Sequence, residues 1–359
     1  MTSRIIVTGG AGFIGGTVVR QLIDETDAAV LNIDKLTYAA SPEALARIER
    51  NPRYAFLRAD ICDRHAVRDA FHRHRPEGVL HLAAETHVDR SIDGPAAFIE
   101  TNIVGTQTLL DAALEYWREL DGSEKVRFRF VQVSTDEVFG SLPQTGSFTE
   151  TSPYAPNSPY AASKAAADHL VRAWHTTYGL PTIVTNCSNN YGPFQFPEKL
   201  IPLMIIKALA EEPLPVYGRG DQVRDWLHVN DHARALGLVL DRGRIGESYN
   251  IGGRCEQTNL ELVERLCGIL DRVRPRTSGK LHRELISFVA DRPGHDRRYA
   301  MNPSKVEREL GWTCQRDFAQ GLAETVGWYI ENRSWLEAIR RRRYDGQRLG
   351  LVTAPSGRA

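Results

Sequence analysis

Short β-branched apolar runs alternate with longer stretches of helical periodicity through the first half of the chain. The runs are "RIIVTG" (4–9), "AVLNID" (29–34), "YAFLRAD" (54–60), "GVLHLAA" (78–84), "VRFRFVQVST" (126–135) and "TIVTNCS" (182–188). Between them the spacing predicts helices near 13–25, 63–74, 95–119 and 160–178. Strands that are apolar throughout and separated by helices imply a parallel sheet covered on both faces, because a sheet with one wet face would alternate. The expected fold is therefore α/β, a Rossmann-type doubly wound sheet, with ligands bound beyond the carboxyl ends of its strands. After about residue 190 the pieces shorten and carry Pro and Gly, as in "PLPVYGRGD" and "SYNIGG". That change predicts a Rossmann domain over 1–190, to which some later segments return, and a smaller C-terminal α/β lobe over 191–335. The stretch 336–359, with "RRRR" at 340–343, reads as a helix fraying into a solvated basic tail.

Composition narrows the partners. A chain of 359 residues can bury a large core. Its 45 Lys and Arg balance 45 Asp and Glu, so no overall field draws it to nucleic acid or an anionic membrane, and an anionic ligand must be held locally. No apolar run approaches the ~18 residues of a membrane span, and "MTSRIIVTGG" enters a strand without a signal peptide. Cysteines 62, 187, 255, 267 and 314 form no CxxC pair and read as reduced thiols of a cytoplasmic protein. On that reading the N-x-S sequons at Asn186 and Asn332 are accidental.

The first strand ends in "TGGAGFIG", which sets Gly9, Gly12 and Gly15 in the spacing G-x-x-G-x-x-G just before a helix. Glycines there allow a tight turn and close approach to a pyrophosphate at the positive end of the helix. Asp34 closes the second strand, where a carboxylate accepts from a ribose 2′-hydroxyl and repels a 2′-phosphate. NAD is therefore expected over NADP, although Lys35 stands next to the acid. The alternative is a structural turn beside a solvated carboxylate.

Farther on, "PYAASKAAADHL" places Tyr160 and Lys164 on one face of a helix. A cation beside a phenol favours the phenolate, which suits Tyr160 as a general base for hydride removal. An ordinary surface pair has the same spacing. In "FVQVSTDEVFG" two acids, Asp136 and Glu137, arrive where an apolar run ends. Strand-end acids commonly meet water or cap the next helix, but two carboxyls in one site also divide proton-transfer work, one of them keeping its proton through mutual repulsion. His81 and His87 flank Glu85 without a recognised ligand spacing, so no metal is assigned.

Together "TGGAGFIG", "NIDKLTYA", "HLAAETHVDRSI", "VSTDEVFG", "SPYAASKA", "TNCSNNYGPFQFPEKLIP", "GDQVRDWLHVNDHARA" and "DRPGHDRRYA" resemble the extended short-chain dehydrogenase/reductase superfamily and, within it, the dTDP-glucose 4,6-dehydratases. The likeness runs from about residue 4 to 330. Phe139 departs from the Tyr common in the family, and "GGRCEQTNLEL" is a looser match. The resemblance implies a lyase of deoxysugar biosynthesis: oxidation at C4 with NAD, loss of water across C5 and C6, and hydride return to C6. It makes Tyr160 and Lys164 the oxidation pair, Glu137 the base at C5, Asp136 the acid at the C6 hydroxyl, and Thr135 a hydrogen-bond partner of the C4 oxygen. It implies cofactor contacts at Gly9, Gly12, Phe13, Ile14, Gly15, Asp34, Lys35, Asp60, Ile61, Ala83, Ala84, Glu85, Thr101, Tyr160, Lys164 and Asn190. Substrate contacts would come from Thr86, Thr135 and Asn189 and, in the nucleotide-sugar-binding lobe, from Lys199, Leu200, Pro215, Val216, Tyr217, Arg224, Asn259 and the "DRPGH" turn from Asp291 to His295. Arg224 carries a physical reason of its own, since a guanidinium fork matches a pyrophosphate; its alternative is a surface pair with Asp221 or Asp225.

Other readings stay open. A UDP- or GDP-sugar 4,6-dehydratase would differ only in the base. A nucleotide-sugar 4-epimerase uses Tyr160, Lys164 and NAD without needing the two acids; a decarboxylase would need a cation where they stand. An NAD(H)-sensing binding protein would not need the full constellation. Apolar residues on several faces of the helices near 95–119 and 160–178, including Leu109, Leu110, Leu114, Leu170, Val171 and Trp174, predict pairing across a twofold axis, and the resemblance also implies a homodimer.

Overall fold

All six apolar runs form strands of one parallel sheet in the computed structural model, which describes residues 3–342. They are β1 (Arg4–Thr8), β2 (Ala29–Asp34), β3 (Tyr54–Arg58), β4 (Gly78–His81), β5 (Arg129–Thr135) and β6 (Thr182–Cys187). The later chain adds β7 (Asn189–Tyr191), β8 (Leu214–Tyr217), β9 (Val223–His228), β10 (Ser248–Ile251), β11 (Glu256–Thr258) and β12 (Ile286–Val289). The large sheet has the order β10-β6-β5-β4-β1-β2-β3, so β10 returns to it from the C-terminal half. After β3 the chain crosses back to lay β4 beside β1. That reversal is the switch point at which such sheets open a crevice.

Side-chain alternation explains the continuous apolar runs. Ile5, Val7, Val30, Leu80, Val131 and Ile183 pack with the helices Phe13–Glu25 and Val229–Arg242 on one face. Ile6, Ile33, Val79, Phe130 and Val184 point the other way, onto the helices Arg64–His74, Gly105–Glu119 and Pro159–Tyr178. Each such side chain, fully buried, contributes about 1.5–3 kcal/mol, so both faces are needed to hold the crevice rigid.

Four departures from the sequence reading have local causes. The run at 126–135 begins as a helix, Gly122–Arg127, and its strand starts at Arg129, because the neighbouring strand starts at Gly78 and offers nothing earlier to pair with. Residues 82–84 leave the sheet after His81 and turn over β1, with the amide of Ala83 donating to Thr8 Oγ1 at 3.2 Å. The helix expected near 95–119 is interrupted by a π-helical turn, Ile99–Val104, which buries Thr101 and Asn102. Leu109, Leu110, Leu114 and Val171, expected to reach a second copy, are consumed by the core of their own chain.

Residues of the C-terminal half form a second core around Ile205, Leu266 and Val326, with β11-β9-β7 and β12-β8 as small sheets. The helix Arg333–Arg342 belongs to it: Trp335, Leu336 and Ile339 are buried, where a fraying tail was expected from 336. Trp335 Nε1 donates to Ser41 Oγ at 2.8 Å, tying this helix to the loop after β2. Residues 343–359 of the expected tail lie outside the described residues.

Candidate active site

The crevice opens between β1 and β4. Gly9 sits there with φ +72°, and a Cβ on it would lie 2.6 Å from the amide nitrogen of Ala83. A Cβ on Gly15 would meet Gly9 O at 2.2 Å. The helix that follows has no side-chain cap at Gly12 and no acid in its first turn, so its free N–H groups and positive end face the cleft. This cradle fits a dinucleotide pyrophosphate. Asp34 closes β2 and ties the cradle to the next loop: Oδ2 accepts from Ala11 N at 3.0 Å and Oδ1 from Leu36 N at 2.8 Å. Lys35 is occupied by Asp60 at 3.3 Å and Thr101 Oγ1 at 3.1 Å. The cation beside Asp34 is thus tied to a carboxylate instead of standing free for a 2′-phosphate.

The same cleft is lined by Phe13, Ile14, Ile61, Ala83, Ala84, Glu85, Thr86, Asn189, Asn190 and Lys199, together with Thr135, Asp136, Glu137, Tyr160 and Lys164. It therefore brings the glycine loop, both acids and the Tyr/Lys pair to one place. Asp60 stands behind Lys35. His81 and His87 do not converge: His81 is held between Thr8 Oγ1 at 2.7 Å and Thr106 Oγ1 at 3.0 Å, and His87 caps a short helix at Arg90 N.

β5 delivers the acids. Its last residue, Thr135, caps a 3₁₀ turn, accepting from Glu137 N at 3.3 Å and donating to Asp136 Oδ1 at 3.1 Å. Asp136 is buried, and its Oδ2 has no hydrogen-bond partner. Burial, and then the neighbouring Glu137, lift the Asp136 carboxyl well above the ordinary carboxylate range. Glu137 is also raised by burial, but Arg292, Lys199 and Arg224 oppose the rise. Tyr160 lies under Phe98 with the Thr135 hydroxyl beside its phenol. Its phenol is pushed well above the usual value, by burial first and Glu137 second. Lys164 Nζ donates to Val133 O at 2.8 Å, and burial lowers its ammonium. The expected phenolate is therefore not favoured by these residues alone, because burial and Glu137 outweigh the Thr135 hydrogen bond.

Most of the C-terminal-lobe set stands outside the wall of the cleft. Arg224 is buried, stacked 4.2 Å over Tyr299, and donates to Asp296 O at 2.9 Å; it forms no ion pair with Asp221 or Asp225 and acts on the Asp136 and Glu137 carboxyls through space. Tyr217 donates to Asp89 Oδ2 at 3.1 Å and packs edge-on to His295, which pairs with Asp291 at 2.6 Å. Val216 faces the lobe core, with Leu200 packed against it; Pro215 lies opposite Ser287 in the β8–β12 ladder, and Asn259 opens a helix.

Several pairings at the site had no sequence signal, although Glu198 and Arg292 lie within the quoted "PEKLIP" and "DRPGH" motifs. Asn102 clasps Glu85 through both its N and O and also donates to Ser163 Oγ at 2.8 Å, joining the cofactor-side loop to the Tyr160 helix. Glu198 accepts from Tyr38 at 3.0 Å and Arg90 at 3.2 Å, while Arg292 pairs with Asp89 at 3.1 Å. These partners lie far apart in sequence, so only the fold reveals them.

The family model for GDP-mannose 4,6 dehydratase matches residues 6–325. A dTDP-glucose 4,6-dehydratase of Shigella flexneri is 57% identical over 346 residues, covering 94% of this chain and 95% of that protein. One from Neisseria meningitidis serogroup B is 56% identical over 97% of this chain and 99% of its own. Among solved structures, dTDP-glucose 4,6-dehydratase from Bacillus anthracis in complex with NAD superimposes with a TM-score of 0.84 at 43% identity, over 94% of this chain and 100% of that one. UDP-glucose 4-epimerase from Thermus thermophilus with NAD shares the fold at a TM-score of 0.79 but only 29% identity, over 92% of this chain and 99% of that one. The chain belongs to the dTDP-glucose 4,6-dehydratase family of the extended short-chain dehydrogenase/reductases.

Proposed function

We propose that the protein is an NAD-dependent hydro-lyase that converts dTDP-glucose to dTDP-4-keto-6-deoxy-glucose. The observation that carries this reading is the buried Asp136 carboxyl, with Oδ2 lacking a partner and its pKa raised by burial and by Glu137, inside a cleft built for a dinucleotide. An epimerase has no use for that pair.

Gly9, Gly12 and Gly15 would hold the pyrophosphate of NAD, Asp34 its adenosine ribose, and Lys164 the ribose beside the reacting ring. Bound there, NAD supplies the acceptor and later the donor of hydride. Tyr160 takes the proton of the C4 hydroxyl, with Thr135 hydrogen-bonded to the same oxygen. Tyr160, protonated when the cleft holds no cation beside it, would lose its proton more readily with the positively charged NAD bound. Once C4 is a ketone, the C5 hydrogen is acidic and Glu137 removes it. Asp136 gives its proton to the departing C6 oxygen, so that water leaves. Arg224 and Arg292, with Lys199, balance the diphosphate of the sugar nucleotide. The C-terminal half thus serves as the nucleotide-sugar lobe.

The exposed Ile99 and Val104 and the half-buried Leu170 and Trp174 support a homodimer through the helices of that face. No described helix is long and apolar enough to cross a membrane, and five free cysteines suit a cytoplasmic location. Incubation with dTDP-glucose, UDP-glucose and GDP-mannose in parallel tests the assignment. A 4-keto-6-deoxy product is expected with dTDP-glucose foremost; its absence with all three would overturn the reading.

A further inference from the structure

We propose that Asp168 is a positioning residue for this reaction, its buried carboxylate being the counter-charge that holds the Lys164 ammonium charged in the cleft. The proposal rests on the reading of Lys164 as a cofactor-site residue. Asp168 is fully buried on the helix Pro159–Tyr178, one turn beyond Lys164, so the two side chains share a face. They form no direct ion pair. Instead Asp168 Oδ2 is anchored from two other elements, accepting from Ser134 Oγ on β5 at 2.6 Å and from Tyr154 OH at 3.0 Å. Tyr154 in turn is approached by Asn186 Nδ2, which also donates to Thr135 O at 3.2 Å. Asp168 Oδ1 is buried and has no hydrogen-bond partner; the buried Gln132 amide lies alongside without reaching bonding geometry.

One oxygen is thus fixed by two hydroxyls and the other has only the Gln132 amide alongside, on the same helix face as a buried cation whose one hydrogen bond goes to Val133 O. The remaining groups that face Lys164 supply no charge. His81 from β4 is driven down to about 3 by burial and is neutral, Cys187 from β6 is pushed up and stays a thiol, and Tyr160 on the same helix is a neutral phenol. On the Asp168 side, Arg172 acts through space on Tyr154. Burial lowers the Lys164 ammonium and Asp168 opposes that fall; burial likewise raises the Asp168 carboxyl, and Lys164 leads the interactions that oppose the rise.

Asp168→Asn tests the charge while keeping an acceptor for Ser134 and Tyr154, and Tyr154→Phe removes a hydrogen bond while keeping the charge. NAD binding by calorimetry between about pH 6.5 and 8.5 is the readout, and it needs no sugar. The Asn variant should bind near parental strength at the acid end and lose about tenfold in affinity towards the alkaline end, the change that accompanies about one unit of Lys titration. The parent and Tyr154→Phe should stay nearly flat. With dTDP-glucose, the alkaline limb of bound-NADH formation should move to lower pH in the Asn variant alone. An Asn profile parallel to the parent's, or one equally weak at every pH, would overturn the counter-charge role. A parent that binds NAD but makes no keto sugar would refute the dehydratase reading and leave the binding profile still legible.

Discussion

Asp136 and Glu137 leave β5 as sequence neighbours, yet their carboxyls keep opposite electrostatic company. Asp136 meets Glu137 as its largest influence after burial, whereas Glu137 meets three cations, Arg292, Lys199 and Arg224. Both carboxyls are raised by burial, and only Glu137 has three cations opposing the rise, so a proton is held more readily on Asp136. This asymmetry supports the proposed roles of Asp136 as acid and Glu137 as base. On raising the pH, the elimination step should fail before C4 oxidation does, because Asp136 must be protonated to release water. Stopped-flow traces should then show the bound-NADH burst surviving at a pH where product formation has fallen.

The raised Asp136 pKa also sets a stability cost. Between its unfolded and folded values the folded state binds more protons, so stability is lost as pH rises through that interval. Asp136→Asn should therefore unfold at higher urea than the parent near pH 8, and the gap should close near pH 3, where both side chains are neutral. Urea midpoints at the two pH values check this. An equal gap at both would contradict it.

Gly15→Ala should empty the cofactor cleft. Helix propensity alone would make alanine better by about 1 kcal/mol, but its Cβ meets Gly9 O at 2.2 Å in the turn that receives the pyrophosphate. The expected result is folded protein that no longer retains NAD, read from the absorbance of the nucleotide released on denaturation.

Much of this was legible beforehand because it is periodic or local. The runs around Ile6, Val79 and Phe130 announce strands buried on both faces, and Gly9, Gly12, Gly15, Tyr160 and Lys164 carry their spacing with them. What escaped was made by distant pairing. Nothing near Asp89 signals Arg292, and nothing near Lys164 distinguishes Asp168 from a surface acid until Ser134 and Tyr154 close over it. The C-terminal helix was misread for the same reason: the arginines at its end read as solvated, while Trp335, Leu336 and Ile339 had partners only in the folded lobe.

That helix yields a further expectation. Ending the chain after Asn332 removes three buried apolar side chains and the Trp335–Ser41 bond, a loss of about 4.5–9 kcal/mol at ~1.5–3 kcal/mol for each side chain. Because Ser41 closes the loop after β2, the shortened chain should both melt earlier and release NAD faster. Thermal melting with a cofactor-retention assay measures both, and parental behaviour in both would refute the packing role.

The division of labour between Tyr160 and the two acids is tested most directly by single-turnover absorbance with dTDP-glucose on Tyr160→Phe, Asp136→Asn and Glu137→Gln. Tyr160→Phe should form no NADH. Each acid variant should oxidise C4 and then stall, holding NADH and a 4-keto sugar that keeps its C6 oxygen, with overall turnover lower by about 10²–10⁴. Parental turnover in both acid variants would contradict the account.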